Sequence, residues 1–312
     1  MTRIKIDEEN IFEYFSMALG PCIIGFTSCR YVVAIDGTHL KGKYKGVLYV
    51  ATTMDGNEQI CLIAFGVGDL ENDRKWKWFL NELRNVIGCL RDLILIFDHY
   101  INIKNAVEEV FADAAHGLCG FHMKRNLKKY RIEKVKDIFQ YASRMYHTKT
   151  FKAQMKELKN INQKAYIELI EVDVHKWSHA YSLVRRYSLL TWNIVELMNN
   201  VLRHGKKLLV TTFVEFICAT MQNWFYDRLK AATLKKIVLT SSAHLLVMKN
   251  NDDSQYLHVT PIGNYNYKVN DGMKDCVVNL VTSTCTCLNF QTDLLLCTHV
   301  CAAIRYLRII LY

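Results

Sequence analysis

Cys285-Thr286-Cys287 and, after nine further residues, Cys297-Thr298-His299 place three thiols and one imidazole in two short pairs. Thiolate and imidazole are the donors that tetrahedral zinc takes. A set of four protein ligands leaves no open coordination position, so the chemistry on offer is structural rather than catalytic. Cys301 is near enough in sequence to compete for one ligand place. The competing reading is a chance cluster of buried thiols, which rank among the most buried side chains. If zinc binds, it holds together a small segment with little core of its own, and its loss unfolds that segment.

A second constellation is acidic. Tyr31 to Ile35 and Leu93 to Phe97 are short apolar runs, and each ends on an acid, Asp36 and Asp98. Both runs read as buried strands. If the strands are neighbours in one sheet, both carboxylates emerge at the same edge, where open α/β sheets bind ligands. Two close carboxylates repel unless a cation sits between them, and hard oxygen donors suit Mg²⁺ or Mn²⁺. Either Asp alone reads equally as a turn residue. A third acid, Glu196, falls in a stretch where Ile194, Leu197, Val201 and Leu202 recur at helical spacing, with Asn193, Glu196, Asn200 and Arg203 on the polar side. Spacing alone does not distinguish that side from a solvated face.

The elements around these residues suggest how they are positioned. Val47 to Met54 and Ile60 to Val67 flank an Asp55-Gly56 turn and read as a hairpin. Residues 73–87 repeat Trp76, Phe79, Leu80, Leu83 and Ile87 at helical spacing, with Asn72 or Asp73 as cap and Gly88 as stop. Residues 101–113 read as a helix and 115–121 as a short strand. The order strand, strand, strand, helix, strand, helix, strand suggests an α/β fold with a mixed sheet. Residues 123–190 are Lys-rich and helical in pattern, an insertion; 193–203 and 213–230 read as further helices. Short strand-like pieces occupy 256–281. The cysteine pairs follow, the first on a hairpin and the second at the start of a helix from Val300 to Ile310. The expected domains are a helical remnant over 1–25, an α/β domain over 26–250, and a strand segment with the zinc module over 251–312, its core at 285–299.

Composition narrows the class. Among 312 residues, Lys plus Arg number 40 against 30 Asp plus Glu, a formal charge of +10. That excess is compatible with a polyanionic partner and equally with a basic surface. Lys124, Arg125, Lys128, Lys129, Arg131, Lys134 and Lys136 form the densest cluster; Arg185-Arg186 and Arg203 to Lys207 are smaller. They would neutralise phosphates or simply face water. No apolar run reaches the roughly 18 residues of a membrane span, and the acidic start (Asp7, Glu8, Glu9) does not read as a secretory signal. Eleven cysteines without such a signal point to a reducing compartment.

The motifs resemble those of Mutator-like plant transposases over nearly the whole chain. Ile35-Asp36-Gly37-Thr38-His39-Leu40-Lys41-Gly42-Lys43-Tyr44 looks like the first catalytic motif of that family. Asp55 to Gln59, Ala64 to Val67, Glu71-Asn72-Asp73 and Trp76 to Leu80 continue the likeness. Cys119-Gly120-Phe121-His122 resembles its Cys-x-x-His motif, and Asn193 to Glu196, closing on Asn199-Asn200, its third acidic motif. The cysteine–histidine segment is similar to the SWIM zinc finger that follows. The resemblance implies an RNase H-like fold with a helical insertion and a catalytic triad of Asp36, Asp98 and Glu196. The triad would hold two divalent ions about 3.5–4 Å apart for phosphodiester cleavage and strand transfer. Cys119 and His122 would lie near that centre, ordering it or contacting DNA; otherwise they are a buried thiol and a packed imidazole. Lys124, Arg125, Lys128 and Lys129 would bind DNA. A nuclear location and a homo-oligomeric transposition complex are implied too. The sequence does not choose between DNA and protein as the finger's partner.

Some positions depart from the family. Leu62, Leu209 and Leu296 stand where members typically carry proline, and Phe97-Asp98-His99-Tyr100 stands for Ser-Asp-Arg-His. Each of these changes can arise from one C→T or G→A transition, the signature of deaminated, silenced transposon DNA. Only Pro21 and Pro261 occur, where average usage would give roughly 15. The expectation is a transposase or a partly decayed copy; the other class is a non-catalytic, domesticated DNA-binding or regulatory protein. Because the chain begins close to the catalytic region, the N-terminal DNA-binding region of longer members is expected to be missing.

Overall fold

The computed structural model describes all residues except 44, 99–100, 183–193, 236–237, 273 and 310–312. The Arg185-Arg186 cluster, Asn193 and the His99-Tyr100 departure lie outside the described residues. The contacts divide the chain into two compact units: Met1–Lys129 with Leu190–Val238, and Tyr130–Leu189 with Leu239–Tyr312.

The first unit opens with β1 (Thr2–Ile6) and β2 (Phe12–Met17). The expected helical remnant over 1–25 is therefore mostly a β-hairpin. Arg3-Ile4-Lys5-Ile6 alternates with period two, which suits a strand and not a helix. The turn is closed by the Asp7 carboxylate, which accepts from the Glu9 and Ile11 backbone N–H groups, with Asn10 at φ 61°. Only α1 (Gly20–Phe26) is helical there. Next come β3 (Val32–His39), β4 (Val47–Met54) and β5 (Ile60–Gly68), then α2 (Asp73–Ile87). Asn72 caps α2 by accepting from Lys75 N, and Gly88 ends it at φ 71°, a backbone region glycine enters freely. β6 (Ile94–Phe97), α3 (Ile101–Val110), β7 (Ala115–Leu118) and α4 (Gly120–Leu127) follow. The strand expected over 115–121 stops at Leu118, because Cys119 takes the extended N-cap position of α4.

The sheet order is β1-β2-β5-β4-β3-β6-β7. β3, β4 and β5 form an antiparallel meander, and β6 and β7 add in parallel beside β3. This mixed α/β sheet is the architecture the sequence predicts, extended at one edge by the β1–β2 hairpin. β3 and β6 are central, and Val32, Val33, Ala34, Ile35 and Ile94 to Phe97 are all buried. That explains why both read as continuous apolar runs rather than alternating ones. Trp76, Phe79, Leu80 and Leu83 of α2 pack on the same core.

The second unit begins with α5 (Glu133–Arg144), α6 (Thr148–Ile161) and α7 (Gln163–Glu171). Phe139 and Phe151 pack on Trp177, with ring centroids 5.2 and 5.4 Å away, and the Trp177 indole donates to Leu169 O and Val172 O. The chain then returns to the first unit for α8 (Ile194–Val201) and α9 (Val210–Thr233). α10 (Ser241–Asp253), which the sequence analysis did not identify, reopens the second unit. β8 (His258–Gly263), β9 (Asn266–Asn270), β10 (Asp275–Asn279) and β11 (Thr284–Cys285) form an antiparallel sheet, followed by α11 (Asn289–Asp293) and α12 (Thr298–Tyr306). Its core is small: Val269, Val278 and Val300 around the cysteines. Within this unit Tyr146 of the helical insertion donates to Asp293 of α11 at 2.7 Å, so insertion and cysteine module share a polar link.

Among the described residues, no helix is long and apolar enough to cross a membrane.

Candidate acidic site and metal centre

Asp36 lies in the second half of β3, and Asp98 is the first residue after β6. β3 and β6 pair in parallel with Ala34 opposite Ile96. The pairing ends there, and Asp36 and Asp98 each follow it by two residues, close enough for the charge of Asp98 to act on Asp36. Both carboxylates are half-buried. Burial, and then the charge of Asp98, push the Asp36 carboxyl up to about 6, although a hydrogen bond from Asn199 acts in the opposite direction. A carboxyl raised by burial and by a neighbouring carboxylate marks a site that a cation would relieve.

The helix that carries the third expected acid, Glu196, reaches Asp36 through Asn199. α8 packs on β3 and β4. Asn199 Nδ2 donates to Asp36 Oδ2 at 2.9 Å. Glu196 sits one turn earlier on the exposed side of α8, roughly 4.5 Å along the axis from Asn199. The buried stripe of this helix is Ile194, Val195, Met198 and Leu202, whereas Leu197 is 41% exposed. The expected apolar stripe is thus rotated toward Val195 and Met198. Of the expected polar side, Arg203 bonds Asn200.

Lys206, a buried lysine, completes the arrangement. Its Nζ donates to Asn199 Oδ1 at 2.7 Å and Thr38 Oγ1 at 3.0 Å. Burial holds its pKa down, while Asp36 pulls it up. The backbone makes the same join, with Lys41 N donating to Lys206 O at 2.7 Å. A Cβ on Gly42 would lie 2.8 Å from Lys207 O, so only glycine allows these two segments to meet. Gly37 is similarly constrained, since its Cβ would lie 2.8 Å from Glu71 Oε1 and 2.9 Å from Trp76 Cζ2. Glu71, held by the Trp76 indole at 3.1 Å, adds to the negative field at Asp36. Sequence reasoning assigned neither Lys206 nor Glu71 a place here, although both lie inside segments it singled out.

Cys119 and His122 lie on the same side of the sheet. Cys119 is buried; burial pushes its thiol up to about 11, and the charges of Asp36 and Asp98 contribute. Burial holds His122 down against Asp98, and its Nδ1 is buried with no hydrogen-bond partner among the described residues. On the outer turns beyond it, Arg125, Lys128 and Lys129 are exposed and Lys124 half-buried. Lys134 and Lys136 belong to the second unit, where both are paired with carboxylates, Glu157 at 2.8 Å and Glu133.

The second site is a metal centre in chemistry and shape. One ligand atom from each of Cys285, Cys287, Cys297 and His299 lies within 4.8 Å of the others, and all four residues are buried. Cys285 ends β11, where Val278 pairs with it. The backbone N–H of Cys287 donates back to Cys285 Sγ at 3.5 Å. Gln291 clamps the turn by accepting from Cys285 N at 3.1 Å and donating to Cys285 O at 2.9 Å. Cys297 is the N-cap of α12, which puts His299 in its first turn. His299 Nε2 lies 3.5 Å from Asp271 Oδ2, and its Nδ1 is buried without a hydrogen-bond partner among the described residues, the orphan expected of a metal-facing nitrogen. Hydrogen bonds from Cys285 and then Cys297 hold the Cys287 thiol down, and contacts with Cys285 and then Cys287 raise Cys297. Cys301, one turn into α12, is fully buried outside this set, and burial keeps it protonated.

The first unit thus carries Asp36 and Asp98 on a mixed α/β sheet, and the second unit carries a Cys₃His cluster on a small antiparallel sheet. Residues 32–126 match the family model of the MULE transposase domain, and residues 267–308 match that of the SWIM zinc finger. The chain thus carries a MULE transposase domain followed by a SWIM zinc finger, and the finger and the Cys/His cluster together support zinc binding. No curated protein matches it. Among solved structures, one similar chain comes from the simian T-cell lymphotropic virus intasome in complex with PP2A regulatory subunit B56 gamma. It shares 11% identity at a TM-score of 0.23, covering 48% of this chain and 51% of that one. That likeness spans about half of either chain and is too distant to carry an argument.

Proposed function

We propose that this transposase-like chain is a metal-dependent DNA transposase of the Mutator-like plant kind, or a partly decayed copy, acting on DNA in the nucleus. The observation that carries the proposal is the parallel pairing of β3 with β6, together with the effect of the Asp98 charge on Asp36. Asp36 and Asp98 would hold Mg²⁺ or Mn²⁺, with Glu196 completing the set from α8. When bound, the metal ions supply Lewis acidity at a phosphodiester and activate water or a DNA 3′-hydroxyl.

The chain's own residues supply the rest. Lys124, Arg125, Lys128 and Lys129 neutralise the phosphate backbone beside the acids, giving an affinity that falls with salt. His122, held neutral by burial, offers an imidazole nitrogen to a nucleotide. The SWIM finger holds its module in shape and takes no part in bond breaking, because its ligand set is closed.

The test is cleavage of end-labelled DNA with Mn²⁺, comparing the chain with Asp98→Ala. Nicking that disappears in the variant supports the proposal; equal activity in both, or none in either, overturns the enzyme. A second reading, a domesticated DNA-binding or regulatory protein, is favoured by one observation: Asp36 is already served by Asn199 and Lys206 while Glu196 stays exposed. Salt-dependent DNA binding without cleavage is its expected outcome.

A further inference from the structure

A cavity of about 320 Å³ in the first unit is lined by α1, the start of β5 and the later turns of α9. Cys22, Cys29, Asp55, Cys61, Trp224 and Arg228 face it. None of these residues belongs to the acidic site or the zinc centre.

The fold brings Cys29 and Cys61 together from separate elements. Cys29 closes the turn after α1, with its N–H on Phe26 O at 3.0 Å. The next residue is fastened to β4: Arg30 N donates to Met54 O at 3.1 Å, and Thr53 Oγ1 donates to Arg30 O at 2.7 Å. In the β4–β5 ladder Thr53 is paired with Cys61. The two thiols therefore line the same cavity, where Cys29 Sγ donates to Gly25 O at 3.4 Å and Cys61 Sγ to Gln59 O at 3.7 Å. Arg228 approaches from α9 and donates to Cys61 Sγ at 2.9 Å and to Ile60 O. Its guanidinium lies 5.2 Å from the Trp224 ring centre and 3.7 Å from Asp55 Oδ2.

We propose that Cys61 and Cys29 are a peroxide-reactive dithiol, with Cys61 as the attacking sulfur, Cys29 as the resolving thiol and Arg228 as the residue that holds the Cys61 thiolate. A thiol serves as a nucleophile in proportion to its thiolate fraction and its access. The neighbouring Cys29 thiol first, and Arg228 after it, hold Cys61 down to about 7 against burial and Asp55. Cys22, on the same cavity, is pushed up to about 11 by burial and stays a thiol.

The reaction balances with a hydroperoxide as co-substrate. The Cys61 thiolate attacks the terminal oxygen of ROOH; the S–O bond forms, the O–O bond breaks, and RO⁻ leaves to take up a proton. Cys61 sulfenic acid results, its sulfur oxidised by two electrons. The Cys29 sulfur then attacks Cys61, loses its proton and expels water, leaving a Cys29–Cys61 disulfide. Arg228 thereby loses the sulfur it donates to and keeps only Asp55 and Ile60 O, so oxidation is felt along α9.

The test treats the full chain, zinc loaded, with hydrogen peroxide, blocks residual thiols and maps the peptides. The expected result is a peptide pair joined through Cys29 and Cys61, and in Cys29→Ser a dimedone adduct on Cys61. Arg228→Met is expected to slow the reaction on the order of fivefold, and Asp55→Asn, which keeps the turn, to hasten it. Peroxide that oxidises Cys89 or the zinc ligands while both peptides stay reduced and unlinked would overturn the proposal. So would Cys61 reacting at the rate of Cys22, or both variants reacting at the parental rate. Should Arg228→Met fail to fold, Asp55→Asn and the adduct carry the decision.

Discussion

Asn199 of α8 and Asp36 of β3, 163 positions apart in sequence, are joined by a 2.9 Å hydrogen bond, and Lys206 donates to the other end of the same amide. One side chain therefore reconciles a carboxylate and a buried ammonium. Asn199→Leu leaves both without that partner, and an unmet buried polar group costs about 1–3 kcal/mol. The expected outcome is a lower urea midpoint with an unchanged slope, together with weaker Mn²⁺ binding. A midpoint equal to the parent's would show that the amide is dispensable.

The Asp36 carboxyl makes a prediction about pH. Its folded value, about 6, is above the ordinary 3.8, so the native chain holds this proton more tightly than the unfolded chain does. The resulting stability is complete below pH 3.8 and is lost as pH rises through about 6. The loss is about 2–3 kcal/mol at most. Asp36→Asn, which keeps an acceptor for Asn199, should flatten that decline and raise the melting temperature of the metal-free chain at pH 7.5. Added Mn²⁺ should raise it only when Asp36 is present.

The zinc centre predicts a local unfolding. Chelation should abolish the slow amide exchange of β9 and β10, because the Val269, Val278 and Val300 core is too small to hold them alone. The second unit is the place to look, while β3 and β6 should keep their protection. Cobalt substitution should give a thiolate-to-metal charge-transfer band that His299→Ala weakens. Asp271→Ala, which frees the outer nitrogen of His299, should lower metal affinity by about 10–100-fold.

Leu209 predicts a gain. It is the extended N-cap of α9 at φ −66° and is 46% exposed, and Leu208 before it is extended at φ −79°, ψ 166°. Proline accepts that geometry at both residues. Leu209→Pro should therefore stabilise the chain by about 0.4–1 kcal/mol, read as a higher melting temperature. Loss of stability would argue that leucine is native to this corner. Leu62 lies where the β4–β5 register slips, with Thr52 opposite Leu62 and Ala51 opposite Ala64. A bulge is one of the few places a strand admits proline.

Much of this architecture was legible in the residues. Continuous apolar runs marked β3 and β6 because a central parallel strand is buried on both faces, and the amphipathic repeat of Trp76 to Ile87 marked α2. The paired Cys-x-Cys and Cys-x-His carried the metal centre unaided, since ligand type and spacing are local properties. The N-terminal hairpin was missed because the period-two alternation of Arg3 to Ile6 spans only four residues, too short a run to mark a strand by itself. The rotated face of α8 was missed because periodicity reports a stripe and not which of its flanks the sheet covers.

Sequence alone determined the donor atoms: which carboxylates close apolar strand runs (although β3 continues past Asp36 to His39), which thiols and imidazole could close on a metal, and which basic residues crowd after Cys119. Tertiary structure alone decided the company they keep. Lys206 beside Asp36, Glu71 against Gly37, and Arg228 on Cys61 all join positions far apart in the chain. Such pairings follow from parallel register and helix docking, which are set by burying many apolar side chains at once and leave no trace in the spacing of any one motif.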